Sequence, residues 1–597
     1  MGFTDQPYKN DTNLLSPTFP PMLNITAIEL EGFQSIGQRT RIELKPITLL
    51  YGPNSAGKSA IFDALELLRV ILDPVAFDEQ RAADMVDRWA RRPGRGSWRE
   101  MTLAIEFPFK FQEVINVWGE ESNWKDGIIK SDSASFDLGD DDIYEHEFEG
   151  KSVRIELTLK IINRWKKAIC FVSEFQCSLE GQRFLSLSKD NPIEDDPVER
   201  AFKDSDEEQG GRWLIAEDKY NFVGRDLKSV LQGIPDERER RNVCTIKDGL
   251  FTLQTMVRSK SLSPMQLMAD AIFEFEAPPG VPLQICSNAK DILFYFGTML
   301  WGPLRNNPLL VTSDRRAPRP EEALAVVDLG FWWADSLHLS GPASMLKKTF
   351  KSVDPHFQGM AEAAHAEYLV RTASHFGWGD DDASTRLAPA KVRAEAVARI
   401  NHHLERSLFT EKLYQLGCAS TLMVPIDLDV DDPKGYYSLA QPAVVRLFLK
   451  DANGQTVELQ DVGSGVPFVL PVLYATSCQG FVKIQQPELH LHPALQGSVA
   501  DVFVEELHRP GCGQFLIETH SEHLLLRLLR RIRDTEKGKS LSEDVKLTHE
   551  QVAVYYFDPQ VGGETFVSRQ LVTPLGDFYN DWPRGFFEER DSDLFEK

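Results

Sequence analysis

The sequence predicts an α/β fold whose core is cut in two by an antiparallel β lobe and a helical arm. Three observations predict it. Residues 52–59 read Gly-Pro-Asn-Ser-Ala-Gly-Lys-Ser between an apolar run and a helical run. Alternating apolar strands fill much of 100–225. A second set of apolar strands, each ending in polar residues, returns only after residue 415.

The first element is the apolar run Pro46-Ile-Thr-Leu-Leu-Tyr51, which reads as a buried strand. Ala60-Ile-Phe-Asp-Ala-Leu-Glu-Leu-Leu-Arg69 follows with helical periodicity. Strand, glycine loop and helix are the context in which Gly-x-x-x-x-Gly-Lys-Ser binds phosphate. Asn54, Ser55, Ala56 and Gly57 would offer backbone N–H groups, and the helix N-terminus adds its dipole. Lys58 has the reach for β- and γ-phosphates, and the Ser59 hydroxyl suits Mg²⁺. An ordinary Gly-rich turn would need neither the Lys nor the Ser.

Upstream, residues 24–31 and 41–44 read as two strands around a turn, after a polar N-terminal stretch (1–22). Met101-Thr-Leu-Ala-Ile-Glu-Phe107 would close the first part of the core (23–110). The segment 111–257 is expected to be a β-rich insertion, with acidic loops at 119–150 and 188–211. The next segment, 258–418, reads as a helical arm. Within it Val392, Ala396, Ile400 and Leu404 recur near one face of a helix. His402 and His403, adjacent on that helix, should point to different sides as surface residues. The second part of the core is placed at 419–540 and a C-terminal domain at 541–597.

Composition narrows the function classes. At 597 residues the chain exceeds one core, so about two or three domains are expected. No apolar stretch is long enough for a membrane span, and Met1 to Pro21 lacks a secretory pattern, so the expected setting is cytoplasmic with no membrane partner. The seven cysteines are scattered without CxxC spacing, which reads as free thiols. A net charge of −24 repels polyanions on average, so nucleic-acid contact would need a local patch. The candidates are the Arg/Trp segment 88–99, Arg315 to Arg319, and Arg527/Arg530/Arg531/Arg533, though a solvated loop or partner surface is the more ordinary reading of such segments.

Four late segments complete the reading. Asp461-Val-Gly-Ser-Gly-Val-Pro-Phe468 places a Gly-Ser-Gly turn at the start of an apolar helix, a second phosphate-seeking surface built on Ser464 and Gly465. Phe481-Val-Lys-Ile-Gln-Gln-Pro-Glu-Leu-His-Leu-His-Pro493 is a strand, a Pro-Glu turn and a helix start. Gln514-Phe-Leu-Ile-Glu-Thr-His520 is a strand ending in Thr-His. Trp582-Pro-Arg-Gly-Phe-Phe587 is an aromatic-rich end.

On these segments the chain resembles ABC-type ATPases of the SMC/RecF/OLD-like superfamily, over roughly 23–110 and 295–590. The Leu-His-Leu-His-Pro tail resembles the OLD-like branch, and the last segment looks like a domain of unknown function found in a subset of these ATPases. The resemblance implies an ABC-type P-loop ATPase head using ATP and Mg²⁺. It implies Ser464 as the signature serine of a homodimer or higher even oligomer, set across the interface from Lys58. It implies His520 near the γ-phosphate or the attacking water. The family ends its strand in a metal-binding and then a catalytic carboxylate. Here Gln485 and Gln486 stand there instead, and an amide is no general base. Glu488 or Glu518 could compensate. His490 and His492, read as structural, could with Glu488 imitate a metal site. The resemblance further implies a defence subunit of the Septu PtuA-like kind, with any nuclease on a separate effector chain and nucleic acid met through the complex. The alternatives are a RecF/SMC-like DNA clamp, or a scaffold that sequesters a toxic partner.

Overall fold

In a computed structural model, residues 25–73, 77–91, 98–108, 150–164, 167–189, 355–372, 388–422, 443–478, 480–509, 512–539 and 542–580 are described. Shorter described pieces lie at 128–131, 134–137, 211–216, 244–247, 250–257, 262–264, 304, 310–315, 324–327 and 582. The N-terminal stretch 1–22, the acidic loops, nearly all of 258–300, Arg316 to Arg319 and the residues after Trp582 lie outside them.

In chain order the elements are β1 Ala27–Glu31, β2 Thr40–Glu43, β3 Ile47–Tyr51, α1 Ala60–Ile71, α2 Glu79–Trp89 and β4 Trp98–Pro108. Then come β5 Ile128–Ser131, β6 Ala134–Asp137, β7 Ser152–Arg164, β8 Lys167–Leu179, β9 Gln182–Lys189, β10 Gly211–Ala216, β11 Cys244–Lys247 and β12 Leu250–Val257. The second half brings β13 Leu310–Val311, β14 Leu324–Val327, α3 Pro355–Thr372, α4 Ala388–His403, β15 Gln415–Leu422, β16 Ala443–Lys450 and β17 Thr456–Val457. Last are α5 Gly465–Ser477, β18 Gly480–Gln485, α6 Pro493–Leu507, β19 Cys512–Glu518, α7 Glu522–Glu536, β20 Val552–Pro559 and β21 Thr565–Gln570.

A six-stranded sheet, ordered β13-β18-β19-β3-β20-β21, forms the core. Its first five strands are parallel, and β21 closes it as an antiparallel hairpin with β20. Parallel strands buried on both faces should be apolar at nearly every position, and β3 is fully buried along its length. Period 2 then sorts the side chains. Ile47, Leu49, Tyr51, Val482, Ile484, Phe515, Ile517, Val554 and Tyr556 join the layer of α3–α7. Leu50, Phe481, Leu516, Tyr555 and Phe557 join α1 and the β lobe on the other face.

The β lobe is a nine-stranded antiparallel sheet, β11-β12-β10-β9-β8-β7-β4-β1-β2. The inserted strands thus extend the sheet that β1 and β2 begin. On one face Met101, Leu103, Ile105 and Phe107 of β4 meet Leu159, Leu157, Ile155 and Val153 of β7, all buried over α1. On the other face Arg41 and Arg154 pair with Glu106, and Arg154 pairs also with Glu29 and Glu156. The helix α2 was not expected from the sequence. Asp78 caps it by accepting from the Arg81 amide, and Ala82 and Val86 are its buried positions.

Helices α3 and α4 pack on each other and on the core layer: Phe357, Met360, Ala361, Ala363 and Ala364 lie with Val397, Ile400 and Leu404. The buried face of α4 therefore runs through Val397, and Ala396 is only half-buried. Among the described residues Cys170, Cys177, Cys418 and Cys478 are free thiols. No described helix is long and apolar enough to cross a membrane.

Arg315, a candidate for a basic patch, is instead buried at 4% exposure. It donates to Thr312, Gln485 and Gln486 carbonyls at 2.8 Å each and to the Phe468 carbonyl at 3.1 Å. One guanidinium thus ties the N-terminal turn of α5 to the end of β18. Each such charge-assisted bond is worth about 1.5–3 kcal/mol, with losses that do not add. Arg315→Met should destabilise the chain by about 3 kcal/mol in urea unfolding. A loss under about 0.5 kcal/mol would show that the staple is not formed.

Candidate functional site

The loop between β3 and α1 is held open by two glycines in the left-handed region, Gly52 at φ 145° and Gly57 at φ 84°. A Cβ on Gly52 would stand 2.5 Å from the Phe557 carbonyl oxygen, and one on Gly57 2.0 Å from Ser35 Oγ. Only glycine fits either place. Ser55 also takes a positive φ, at 62°. The Ala56 amide folds back on Pro53, and Thr565 of β21 braces the loop through the Ala56 carbonyl. The amides of Asn54, Ser55, Gly57, Lys58 and Ser59 donate to no other backbone group among the described residues. Unclaimed N–H groups at a helix start form an anion-binding concavity. Ser59 is the N-cap of α1, and its side chain makes no cap bond, leaving the hydroxyl available.

Lys58 is 3% exposed. Its Nζ donates to the Gly52 and Pro53 carbonyls at 3.0 and 2.9 Å, and Glu518 Oε1 lies 3.7 Å away. Burial pulls its ammonium below the ordinary value, and Glu518 offsets part of that. Glu518 is the last residue of β19, and burial pushes its carboxyl up, opposed by Lys58 and Gln485. Gln485 Nε2 donates to Glu518 Oε2 at 3.2 Å. The parallel register that pairs Glu518 with Gln485 and with Leu50 of β3 brings this chain of contacts to one sheet edge.

Gln486 leaves β18 with φ 46°, its amide on the Glu518 carbonyl at 2.6 Å and its carbonyl held by Arg315. Glu488 is committed elsewhere. Its oxygens accept from the Thr519 hydroxyl and the His520 amide, both at 2.8 Å. Burial raises its carboxyl, and those donors offset it. Glu488 therefore latches the Thr-His segment to the β18 turn. His520 Nε2 is buried with no hydrogen-bond partner in the protein. Burial and the nearby Lys58 charge push its imidazole down to about 4. An orphaned buried nitrogen beside Lys58 fits a ligand that supplies its partner.

Ser464 and Gly463 are exposed at the start of α5. The turn lies against His490, whose carbonyl is 3.3 Å from where a Gly465 Cβ would sit and whose ring meets Phe468 at 4.2 Å. Ser464 and Gly465 therefore join the β18 turn, not the Lys58 loop, of the same chain. Glu488, His490 and His492 gather no metal geometry: His490 is exposed on Phe468, and His492 caps α6 through the Ala494 amide. The arginines of the candidate patches are largely spent. Arg527 and Arg531 bind Asp501, Arg530 pairs with Asp534, and Arg533 donates to the Leu575 and Gly576 carbonyls. Arg99 holds Asp87, and Arg91 reaches the Ser35 carbonyl and Glu564. Sequence reading missed Ser35, whose buried Oγ has no partner beside Gly57, and Gln34, which donates to Asp63 at 2.6 Å. No motif marks either residue.

Three family models match the chain. Residues 27–68 match an AAA domain, and residues 369–527 match an AAA domain described as putative AbiEii toxin, Type IV TA system. Residues 547–596 match a protein family of unknown function, DUF3696. No curated protein matches in sequence. Similar solved structures include an SmcHead bound to the C-winged helix domain of ScpA, at 11% identity and TM-score 0.36, covering 92% of this chain and 98% of that one. A Pyrococcus furiosus Smc head with an extended coiled coil, bound to the C-terminal domain of ScpA, gives 11% and 0.33, with 92% and 96% covered. A Pyrococcus yayanosii Smc head with a coiled coil and joint gives 12% and 0.32, with 92% and 97% covered.

The His520 environment fixes a pH dependence. The unfolded chain protonates this ring near 6.5 and the folded chain near 4. Between those values the unfolded state binds the extra proton, so stability falls as pH drops through that window and is unaffected above it. In His520→Gln the difference in unfolding midpoint between pH 7 and pH 5 should narrow relative to the parent. An unchanged difference would mean that the ring is solvated.

The Lys58 loop and the Thr519–His520 strand end both lie inside segments, 27–68 and 369–527, that match AAA domains, so the chain carries a P-loop ATPase core divided by the insertion.

Proposed function

We propose that the chain binds ATP with Mg²⁺ at the Lys58 loop, turns it over slowly, and uses the bound nucleotide to hold two copies together in a prokaryotic anti-phage defence assembly that governs a separate effector, a nuclease before other classes. The observation that carries this reading is the contact chain Gln485–Glu518–Lys58. Positions 485 and 486 hold amides, which accept or donate hydrogen bonds but take no proton from water at neutral pH. The neighbouring carboxylates are engaged: Glu518 by Gln485 and Lys58, Glu488 by Thr519 and His520. Neither carboxylate stands at the position of the two amides, and losing a positioned general base costs on the order of 10²- to 10⁴-fold.

When bound, the nucleotide and its metal supply the phosphoanhydride and its charge neutralisation. The unclaimed amides of Asn54, Ser55, Gly57, Lys58 and Ser59 and the Lys58 ammonium would orient the phosphates. Ser59 and Gln485 would hold the metal, and the unpartnered Nε2 of His520 would accept or donate a hydrogen bond at the phosphate end. Ser464, exposed at a helix start beside the half-buried Gly465, is the surface that a second copy's phosphate loop would meet. The AbiEii-like description of the 369–527 match supports a defence setting. The commitment of Arg527 and Arg531 to Asp501 and of Arg533 to the Gly576 carbonyl weighs against a DNA clamp acting alone.

Steady-state hydrolysis tests the catalytic part. The purified chain should turn over far below the ordinary enzyme rate of about 10 s⁻¹. Gln486→Glu should raise the rate by at least about tenfold, and Lys58→Ala should abolish nucleotide binding. Wild-type turnover near 10 s⁻¹ sinks the slow reading. Co-purification with the products of neighbouring genes, with and without Mg²⁺-ATP, tests the assembly. A salt-dependent shift of duplex DNA by the lone chain would instead favour the clamp.

A further inference from the structure

Away from the nucleotide loop, the last turn of α4 meets the last turn of α6 through two histidines and two glutamates. His402 and His403 do not diverge onto the surface as neighbours on a helix ordinarily would. Their rings lie 5.3 Å apart at 79°, and the helix passes directly into a π-helical turn, Leu404–Leu408, a distortion often found at functional sites. His403 is 1% exposed, and its Nε2 is 2.7 Å from Glu506 Oε1. Glu506 is fully buried and is balanced by Arg509 at 2.9 Å and Arg399 at 3.3 Å. With the Nε2 proton given to Glu506, His403 Nδ1 carries a lone pair. That nitrogen is buried and has no hydrogen-bond partner. It faces Glu505 Oε2 at 3.5 Å, and His402 Nε2 lies 3.6 Å from the same oxygen.

Among the described residues Glu505 makes no ion pair with any lysine or arginine. A carboxylate oxygen and an imidazole lone pair face each other in a buried setting, and only a positive charge between them makes the arrangement favourable. The three donor atoms lie within 4.8 Å of one another. Tetrahedral ligands at about 2.0–2.2 Å from a zinc ion stand about 3.3–3.5 Å apart, close to the two measured separations. We infer that His402 Nε2, His403 Nδ1 and a Glu505 oxygen form a site for a zinc-type divalent cation, clasping α4 to α6.

Two imidazoles and one carboxylate select zinc-like ions over Mg²⁺ or Ca²⁺. Glu506 orients His403 from behind, the carboxylate–histidine–metal arrangement common in such sites. Burial, then the neighbouring His403 and the charges of Arg406 and Arg399, lower the pKa of the His402 ring, which favours its neutral, ligating form. Burial raises the Glu505 carboxyl, His403 opposes that, and Asp544 and Asp501 on the same side add to it. The clasp joins the helical segment to the helix that begins just after Gln485 and Gln486. It does not depend on the ATP reading.

The test uses the full chain, stripped with a chelator and dialysed. Zn²⁺ is titrated by competition with a chromophoric chelator, and Co²⁺ by visible absorption. One ion per chain and an intense tetrahedral Co²⁺ spectrum are expected. His402→Ala, which removes a half-exposed ring, and Glu505→Gln should each weaken Zn²⁺ binding by at least about 10- to 100-fold, and Glu506→Gln by about 10-fold. The far-UV spectrum and ATP binding should stay as in the parent. Absence of stoichiometric Zn²⁺, or binding unmoved by His402→Ala and Glu505→Gln, overturns the inference.

Discussion

A buried ammonium group is tolerated only when it is paired and hydrogen-bonded, and the core of this protein is arranged around one. Lys58 finds its partners in two carbonyls of its own loop and in Glu518 on the adjacent strand. That pairing requires β19 beside β3 in parallel register, and β19 in turn sets Gln485 of β18 against Glu518. The strand order thus assembles a site from residues more than 400 positions apart. The β lobe and the helices inserted between them leave this register intact because they pack on opposite faces of the sheet.

The same logic explains which parts were legible in the sequence. A phosphate loop is readable because three of its requirements are local: glycines where φ is positive, a lysine, and a hydroxyl at the helix start. The strands ending at Gln485 and Glu518 were readable as apolar runs of the right length, and the helix after residue 464 as an apolar run behind a Gly-Ser-Gly turn. Long-range pairing was not readable. Arg315 looked like part of a basic cluster because nothing local says that four carbonyls from three segments converge on it. His403 looked exposed because ideal helical spacing sends adjacent residues apart, and the π-helical turn that follows does not announce itself in Leu-Glu-Arg-Ser-Leu. The helix α2 was overlooked because only Ala82 and Val86 are fully buried on it, with Ala83, Met85 and Trp89 packed part-exposed among charges.

The helix α6 connects the parts. Its N-terminus follows the turn in which Glu488 holds Thr519 and His520 and in which His490 meets the Ser464 helix. Its C-terminus carries Glu505 and Glu506 against α4. Fifteen residues of helix separate the ends by about 20 Å. One helix thus spans from the β18 turn to the α4 contact, and Asp501, midway along it, is locked to α7 through Arg527 and Arg531.

The central claim is that nucleotide binds at the Lys58 loop of one copy and is completed by the serine turn of another. A structure of the full chain with Mg²⁺ and a non-hydrolysable ATP analogue measures it most directly. The account predicts two copies facing each other, with Lys58 on the phosphates from one side and the Ser464 hydroxyl on the γ-phosphate from the other. A nucleotide held by a single copy, with residues 463–465 turned to solvent and no phosphate near them in either chain, would contradict it.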